Sequence, residues 1–252
     1  MSEEVHRIGL LVPSRDGVTE MDFKNLLPRD VSFHTGRMYV SDAIPRGVPA
    51  LDAIVDQIEQ AIKIIEQVDP ELIVFACTSG SFYRGIGWDD RIASRITGAS
   101  GVPAVVTTTA VVDALHSLEA RRIFMVTPYR EEINQLEVEF LSDSGIEVSG
   151  CANFHFERSR DIPHCMPSEI IARVRAHREA ILPQDALLIS CTAFRGTDTI
   201  SRLEAELNIP VVTSNAATVW AVLHRLGLAT TGIPGGRLFE LPPGKLTAVA
   251  GT

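Results

Sequence analysis

Leu72-Ile73-Val74-Phe75-Ala76-Cys77-Thr78-Ser79 and Ala186-Leu187-Leu188-Ile189-Ser190-Cys191-Thr192 share one construction: an apolar run of strand length, a cysteine, then a hydroxyl. The two cysteines stand 114 positions apart. Ile8-Gly9-Leu10-Leu11-Val12-Pro13 aligns with Ile123-Phe124-Met125-Val126-Thr127-Pro128 at an offset of 115, both runs ending on proline. Gly101-Val102-Pro103-Ala104-Val105-Val106-Thr107 resembles Asn208-Ile209-Pro210-Val211-Val212-Thr213 at an offset of 107. Loop insertions produce drift of this size, and a period near half the chain describes two equivalent lobes, not a solenoid. One such match is what any α/β chain yields; three in the same order mark a duplication.

Around these anchors, continuous apolar runs predict strands over 7–13, 31–36, 71–77, 103–107, 121–127, 146–151, 185–191 and 209–213, as expected where both sheet faces are covered. Amphipathic spacing predicts helices over 49–68, where Leu51, Ile54, Ile58, Ile62 and Ile65 recur, and over 110–118, 130–144, 168–181, 198–207 and 215–226. Strand-helix alternation implies parallel sheets with right-handed crossovers. The expected fold is therefore α/β, with two pseudo-symmetric lobes, each a parallel sheet of about four strands flanked by helices. The first lobe is placed at 1–116 and the second at 117–227, with a Gly- and Pro-containing tail, 228–252, crossing back to the first.

Composition narrows the function. A chain of 252 residues with 45% hydrophobic and 22% charged residues can fill two full cores. Its net charge of −9 argues against nucleic acid or an anionic membrane as partner, while leaving small anions open. No stretch approaches the roughly 20 apolar residues of a membrane span. The acidic start Met1-Ser2-Glu3-Glu4 lacks the positive flank of a signal peptide, so a cytoplasmic location is expected. In a reducing compartment Cys77, Cys151, Cys165 and Cys191 should be free thiols or functional groups.

Ligands of open parallel sheets bind beyond the carboxyl ends of the strands, where Pro13, Cys77, Thr127, Cys191 and Thr213 all fall. If the lobes face one another, the two thiols reach a shared cleft from opposite sides. Taking a proton from the carbon next to a carboxylate on one face and returning one on the other requires two such groups. A thiol suits the work if its pKa moves from about 8.5 toward the working pH, and helix N-termini after each strand are expected to supply that stabilisation. Thr78, Ser79 and Thr192 add donors, or cap those helices. Cys151 and Cys165 read as small buried hydrophobes. Cys151, His155, His164 and Cys165 make a poor zinc set, since adjacent His164 and Cys165 point to opposite sides of an extended segment. Gly17, Gly80 and Gly85 form no phosphate cradle, so neither metal nor nucleotide cofactor is expected. His34 reads as an interior histidine, and the loops around 36–48 and 153–167 are expected to shape the pocket.

The residues also carry a family resemblance over nearly the whole chain. Ile8 to Pro13, Thr78-Ser79-Gly80-Ser81-Phe82-Tyr83-Arg84-Gly85, Thr127-Pro128-Tyr129, Ile189-Ser190-Cys191, Ile209 to Ser214 and Gly236-Arg237-Leu238-Phe239 resemble the aspartate/glutamate racemase superfamily, in the branch of arylmalonate decarboxylases and maleate cis-trans isomerases. The resemblance implies flavodoxin-like lobes with the active site between them, no cofactor, and relatives that are often dimers or larger homo-oligomers. The run Ser81 to Gly85 is closest to the decarboxylases, yet those resemble this chain with glycine at the first cysteine. Cys77 instead matches the two-cysteine racemases and isomerases.

Carried over, Cys191 would protonate a planar enediolate, and Cys77 would abstract a proton or add to a double bond. Ser14, Thr78, Ser79, Tyr129 and Thr192 would bind substrate carboxylate. Ser14-Arg15-Asp16 departs from the serine-asparagine pair of the isomerases; Arg15, Arg84 or Arg195 could compensate by pairing with a second carboxylate, or stand as solvated surface arginines. Three readings follow: a cofactor-independent isomerase or racemase of a small carboxylic acid, a malonate-type decarboxylase using Cys191 alone, and a non-catalytic carboxylate-binding protein.

Overall fold

The computed structural model describes residues 5–241. Among these, eight strands run β1 (His6–Pro13), β2 (Val31–Met38), β3 (Leu72–Phe75), β4 (Ala104–Val106), β5 (Arg122–Thr127), β6 (Glu147–Asn153), β7 (Ala186–Ile189) and β8 (Val211–Thr213). They form two wholly parallel four-stranded sheets of identical order, β2-β1-β3-β4 and β6-β5-β7-β8. The offsets legible in the sequence reappear as hydrogen-bond register. Ile8 pairs with Leu72 and Ile123 with Ala186; Ile73 pairs with Ala104 and Leu187 with Val211. Both lobes are thus built on one plan.

Strands β3 and β7 are buried along their whole length, which is why their sequences are unbroken apolar runs and not alternating ones. Each such Leu, Ile or Val contributes about 1.5–3 kcal/mol by leaving water. The helices Thr107–Ser117 and Ser214–Arg225, which follow β4 and β8, pack along one another between the lobes. Residues 214–223 are buried on every side of the second helix, and its Thr218 hydroxyl donates to the Thr107 hydroxyl at 3.2 Å. A helix buried all round needs apolar or internally bonded residues throughout, and Ala216-Ala217, Val219-Trp220 and Val222-Leu223 supply them.

Several expectations change. The helix expected over 49–68 is two helices, Val48–Val55 and Ile58–Ile65, continued by a short 3₁₀ turn. At the break the Gln57 side chain accepts from the Tyr39 amide and donates to the carbonyls of Tyr39 and Ala53. Helices Thr19–Leu26 and Trp88–Ser100 have no counterpart in the sequence reading, whereas Thr78–Phe82 is the helix expected to begin after Cys77. Of the tail expected to cross back, Arg237–Glu240 packs instead on the second lobe, where Glu204 accepts from the Arg237 amide; residues 242–252 lie outside the described residues. His34 contacts Ser32 on β2 and stands away from the cleft.

Candidate active site

In each sheet the first strand is flanked by the second on one side and the third on the other, so chain connections diverge beyond the ends of β1 and β3, and of β5 and β7. A crevice opens at such a switch point. Here the two crevices merge into one cleft of about 670 Å³, lined by Cys77, Thr78 and Ser79 from the first lobe and by Tyr129, Cys191 and Thr192 from the second. Six of the seven residues expected at the site meet there. Ser14 does not line it; its hydroxyl accepts from the Val40 amide at 3.3 Å and ties the end of β1 to the next loop.

A chain of donors joins the cysteine segments. The Thr78 hydroxyl donates to Ser214 Oγ at 3.0 Å, and Ser214 Oγ accepts the Cys191 amide at 3.0 Å. Cys77 is the residue before helix Thr78–Phe82, in extended backbone with φ −150°. The Gly80 amide and the Ser79 hydroxyl are the donors that oppose the burial of its sulfur. Gly80 must lack a side chain, because a Cβ there would stand 2.9 Å from that sulfur. Cys191 differs. No helix starts at this cysteine: Thr192 to Gly196 turn, and a 3₁₀ turn, Thr197–Thr199, precedes the next helix. Cys191 itself holds φ +100°, a conformation costly for any residue with a Cβ. Burial of its sulfur is opposed by the Ala193 amide and the Tyr129 hydroxyl, and that hydroxyl is buried with no hydrogen-bond partner.

The pKa of each thiol moves the opposite way from expectation. Burial pushes Cys77 up to about 12, outweighing the Gly80 and Ser79 donors, and the nearby Asp16 charge adds to the rise. Burial likewise raises Cys191, against the donors Tyr129 and Ala193. The Tyr129 phenol is likewise held well above its usual range by burial and then by Cys191. The protein's own groups therefore keep both thiols protonated at neutral pH.

The rest of the cleft is divided by chemistry. Val40, Ile44, Ala50, Leu51, Ile54 and Ile133 form an apolar wall. The mouth is charged and already paired: Asp42 bridges Arg15 at 2.6 Å and Arg160, while Glu157 lies 3.5 Å from Arg46 and 3.8 Å from Arg130. These contacts join the two pocket-shaping loops, 39–47 and 154–164. Of the arginines weighed for a second carboxylate, Arg84 is held by Asp52 and Tyr83, and Arg195 by Asp198, both outside the cleft. Asp16 lines the floor, its oxygens taken by the amides of Val18 and Thr19 and by the Thr19 hydroxyl. All four cysteines are free; Cys151 donates to Asn134 and Cys165 is buried.

Sequence reasoning missed Ser214, although it closes the strand run that carries the resemblance. It also missed Glu137, buried with one oxygen on the Ser190 hydroxyl and the other unpartnered. Burial pushes that carboxyl up to about 8. Its place in an amphipathic helix, Glu131–Asp143, among four other glutamates and aspartates gives no sign that this one faces inward.

Two lobes of one plan, each placing a cysteine on a common cleft, define a two-lobed α/β protein with two thiols lining one site. The chain belongs to the arylmalonate decarboxylase family, whose model matches residues 8–239. It is 30% identical over 248 residues to a maleate isomerase of Nocardia farcinica, covering 94% of this chain and 96% of that one. It is 26% identical over 234 residues to an arylmalonate decarboxylase of Bordetella bronchiseptica, covering 92% and 96%. A solved cysteine-to-serine variant of Nocardia farcinica maleate cis-trans isomerase, with a covalently bound succinylcysteine intermediate, superposes with a TM-score of 0.84 at 25% identity, covering 93% of this chain and 98% of that one.

Proposed function

We propose that the protein is a cofactor-independent isomerase or racemase of a small carboxylic acid, with Cys77 and Cys191 as its reacting groups. The observation that supports this most is that both sulfurs line one cleft and are tied through Thr78, Ser214 and the Cys191 amide. Substrate carboxylate would take the unpartnered Tyr129 hydroxyl, and the hydroxyls of Thr78, Ser79 and Thr192 once they turn from Ser214, Cys77 and the Ala76 carbonyl, as donors to the charge that develops on an enediolate. As an isomerase, the Cys77 thiolate adds to one alkene carbon and the C=C pair moves into the carboxylate. Rotation about the resulting single bond follows, and return of the pair expels the thiolate. As a racemase, one thiolate takes the α-proton and the opposite thiol returns one. Both schemes need one proton removed from the pair beforehand.

A second reading, decarboxylation of a substituted malonate, is favoured by the apolar wall. Volumes of 300–1,000 Å³ hold drug-sized ligands, so 670 Å³ exceeds what a four-carbon diacid fills. Loss of carbon dioxide would generate the enediolate, and neutral Cys191 would protonate it. Single Cys77→Ser and Cys191→Ser variants, assayed in deuterated solvent on maleate, amino acids and arylmalonates, separate the readings. Loss of turnover in both variants, with folding intact, supports the first; activity retained in Cys77→Ser supports the second. Wild-type protein that turns over nothing and incorporates no deuterium points to a carboxylate-binding protein. We further place the lobe boundary at 116/117, between the sheets, the protein in the cytoplasm, in keeping with four free thiols, and the working form as a homo-oligomer, checked by light scattering.

A further inference from the structure

The turn that carries Cys191 is gripped from behind the cleft by side chains that do not touch the sulfur. Asn215, the second residue of helix Ser214–Arg225, is 1% exposed. Its Nδ2 has two hydrogens and two acceptors, the Thr192 carbonyl at 2.8 Å and Asp22 Oδ2 at 2.7 Å. Asp22 belongs to helix Thr19–Leu26 of the first lobe and also accepts from the Thr197 hydroxyl at 2.7 Å. The amide can face only one way, since a reversed Asn215 would set its oxygen against a carbonyl and a carboxyl.

The Thr192 carbonyl and the Ala193 N–H are the two ends of a single peptide plane, and in a trans amide they point in opposite directions. Fixing the carbonyl therefore fixes the direction of that N–H, the backbone donor that opposes the burial of the Cys191 sulfur. On the other side of the cysteine, Ser214 Oγ accepts the Cys191 amide at 3.0 Å. Consecutive residues of one helix thus hold both flanks of a residue at φ +100°, a conformation that persists only where the surroundings over-determine it. Asp22 is a costly filling for this space, because burial pushes its carboxyl up to about 7, and an apolar residue of similar size would avoid that cost.

We propose that Asn215, anchored across the lobe contact by Asp22, is a positioning residue for Cys191: it fixes the direction of the Ala193 N–H and so sets how readily this thiol, and not Cys77, ionises. The proposal rests on the reading of Cys191 as a reacting group, but its test needs no substrate.

Iodoacetamide reacts with thiolate, so alkylation of each cysteine, followed peptide by peptide on the full chain from pH 6 to 10, reports ionisation residue by residue. Asn215→Leu should slow alkylation of Cys191 about tenfold at a given pH, the loss of one hydrogen bond to a charged acceptor, while Cys77 stays within about twofold. Asp22→Leu should act in the same direction. Asp22→Asn should restore the wild-type rate, because its amide oxygen still accepts from Asn215; this pair keeps the test alive if Asn215→Leu does not fold. Equal slowing or acceleration of Cys77 and Cys191, no change at Cys191, or failure of Asp22→Asn to rescue overturns the proposal. An inactive wild-type protein that passes this test would instead sink the catalytic reading alone.

Discussion

The φ of +100° at Cys191 can be weighed against the φ of −150° at Cys77 by replacing each cysteine with alanine and with glycine. Alanine keeps the Cβ and so retains the strain at position 191, of order 1–3 kcal/mol, which glycine releases. Against that, glycine costs roughly 0.5–1 kcal/mol in unfolded-chain entropy, and a half-buried methyl is lost, worth under about 0.8 kcal/mol. Cys191→Gly should therefore exceed Cys191→Ala in stability by about 1 kcal/mol at mid-range, within limits of about −0.8 to about +2.5 kcal/mol. At position 77 no strain exists and the side chain is 4% exposed, so Cys77→Ala should exceed Cys77→Gly by roughly 1–2 kcal/mol. For a chain of this size each kcal/mol moves Tm by roughly 2–4 °C, within reach of calorimetry. The order of alanine and glycine should invert between two positions that occupy equivalent places in the duplicated plan. If Cys191→Gly is less stable than Cys191→Ala by the same margin as at position 77, the turn is not strained and the reasoning fails.

The isomerase and decarboxylase readings differ in pH dependence. With Cys77 pushed up to about 12, a mechanism that needs a thiolate should gain close to tenfold in kcat/KM per pH unit from pH 6 to 9, whereas protonation by neutral Cys191 should be flat there. Gly80→Ala, whose Cβ would stand 2.9 Å from the Cys77 sulfur and 3.2 Å from the Phe75 ring, should cost roughly 1–3 kcal/mol in urea unfolding and abolish Cys77 alkylation geometry, seen as a changed Cys77 rate with Cys191 unaffected. Glu137 holds a proton to about pH 8 in the folded chain against about 4.5 when unfolded, so its contribution to stability is complete below pH 4.5 and is lost as pH rises through 8. Glu137→Gln should therefore flatten the fall in stability over that window, whose slope is at most about 1.4 kcal/mol per pH unit.

The duplicated strands were legible because burial on both faces leaves no choice of residue, and their offsets survived into the register. Helix Trp88–Ser100 was not, because of its four buried residues, Asp89, Ile92, Ala93 and Ile96, one is charged, while Thr97, Gly98 and Ser100 are weak helix formers. The cysteines and their hydroxyls were visible as sequence, but their local backbone was not. Thr78-Ser79-Gly80 continues as a helix, whereas Thr192-Ala193-Phe194 turns, and the deciding contacts come from Asn215, Asp22 and Ser214, distant in sequence. Likewise the apolar wall of the pocket combines Leu51 and Ile54 with Val40 and Ile133 from other elements, which no local pattern brings together.

Breaking the symmetry at this one place has a chemical consequence. Two identical thiol environments would make the faces of a bound enediolate equivalent, so proton delivery would carry no preference beyond substrate orientation. Here Cys77 is served by the Gly80 amide and the Ser79 hydroxyl within its own segment, while Cys191 is served by Ala193 and by Tyr129, from another strand end. Loss of the Cys77 contacts and loss of the Cys191 contacts are therefore separable, because these donors serve one sulfur each, and a molecule bound between the lobes meets two unlike thiols.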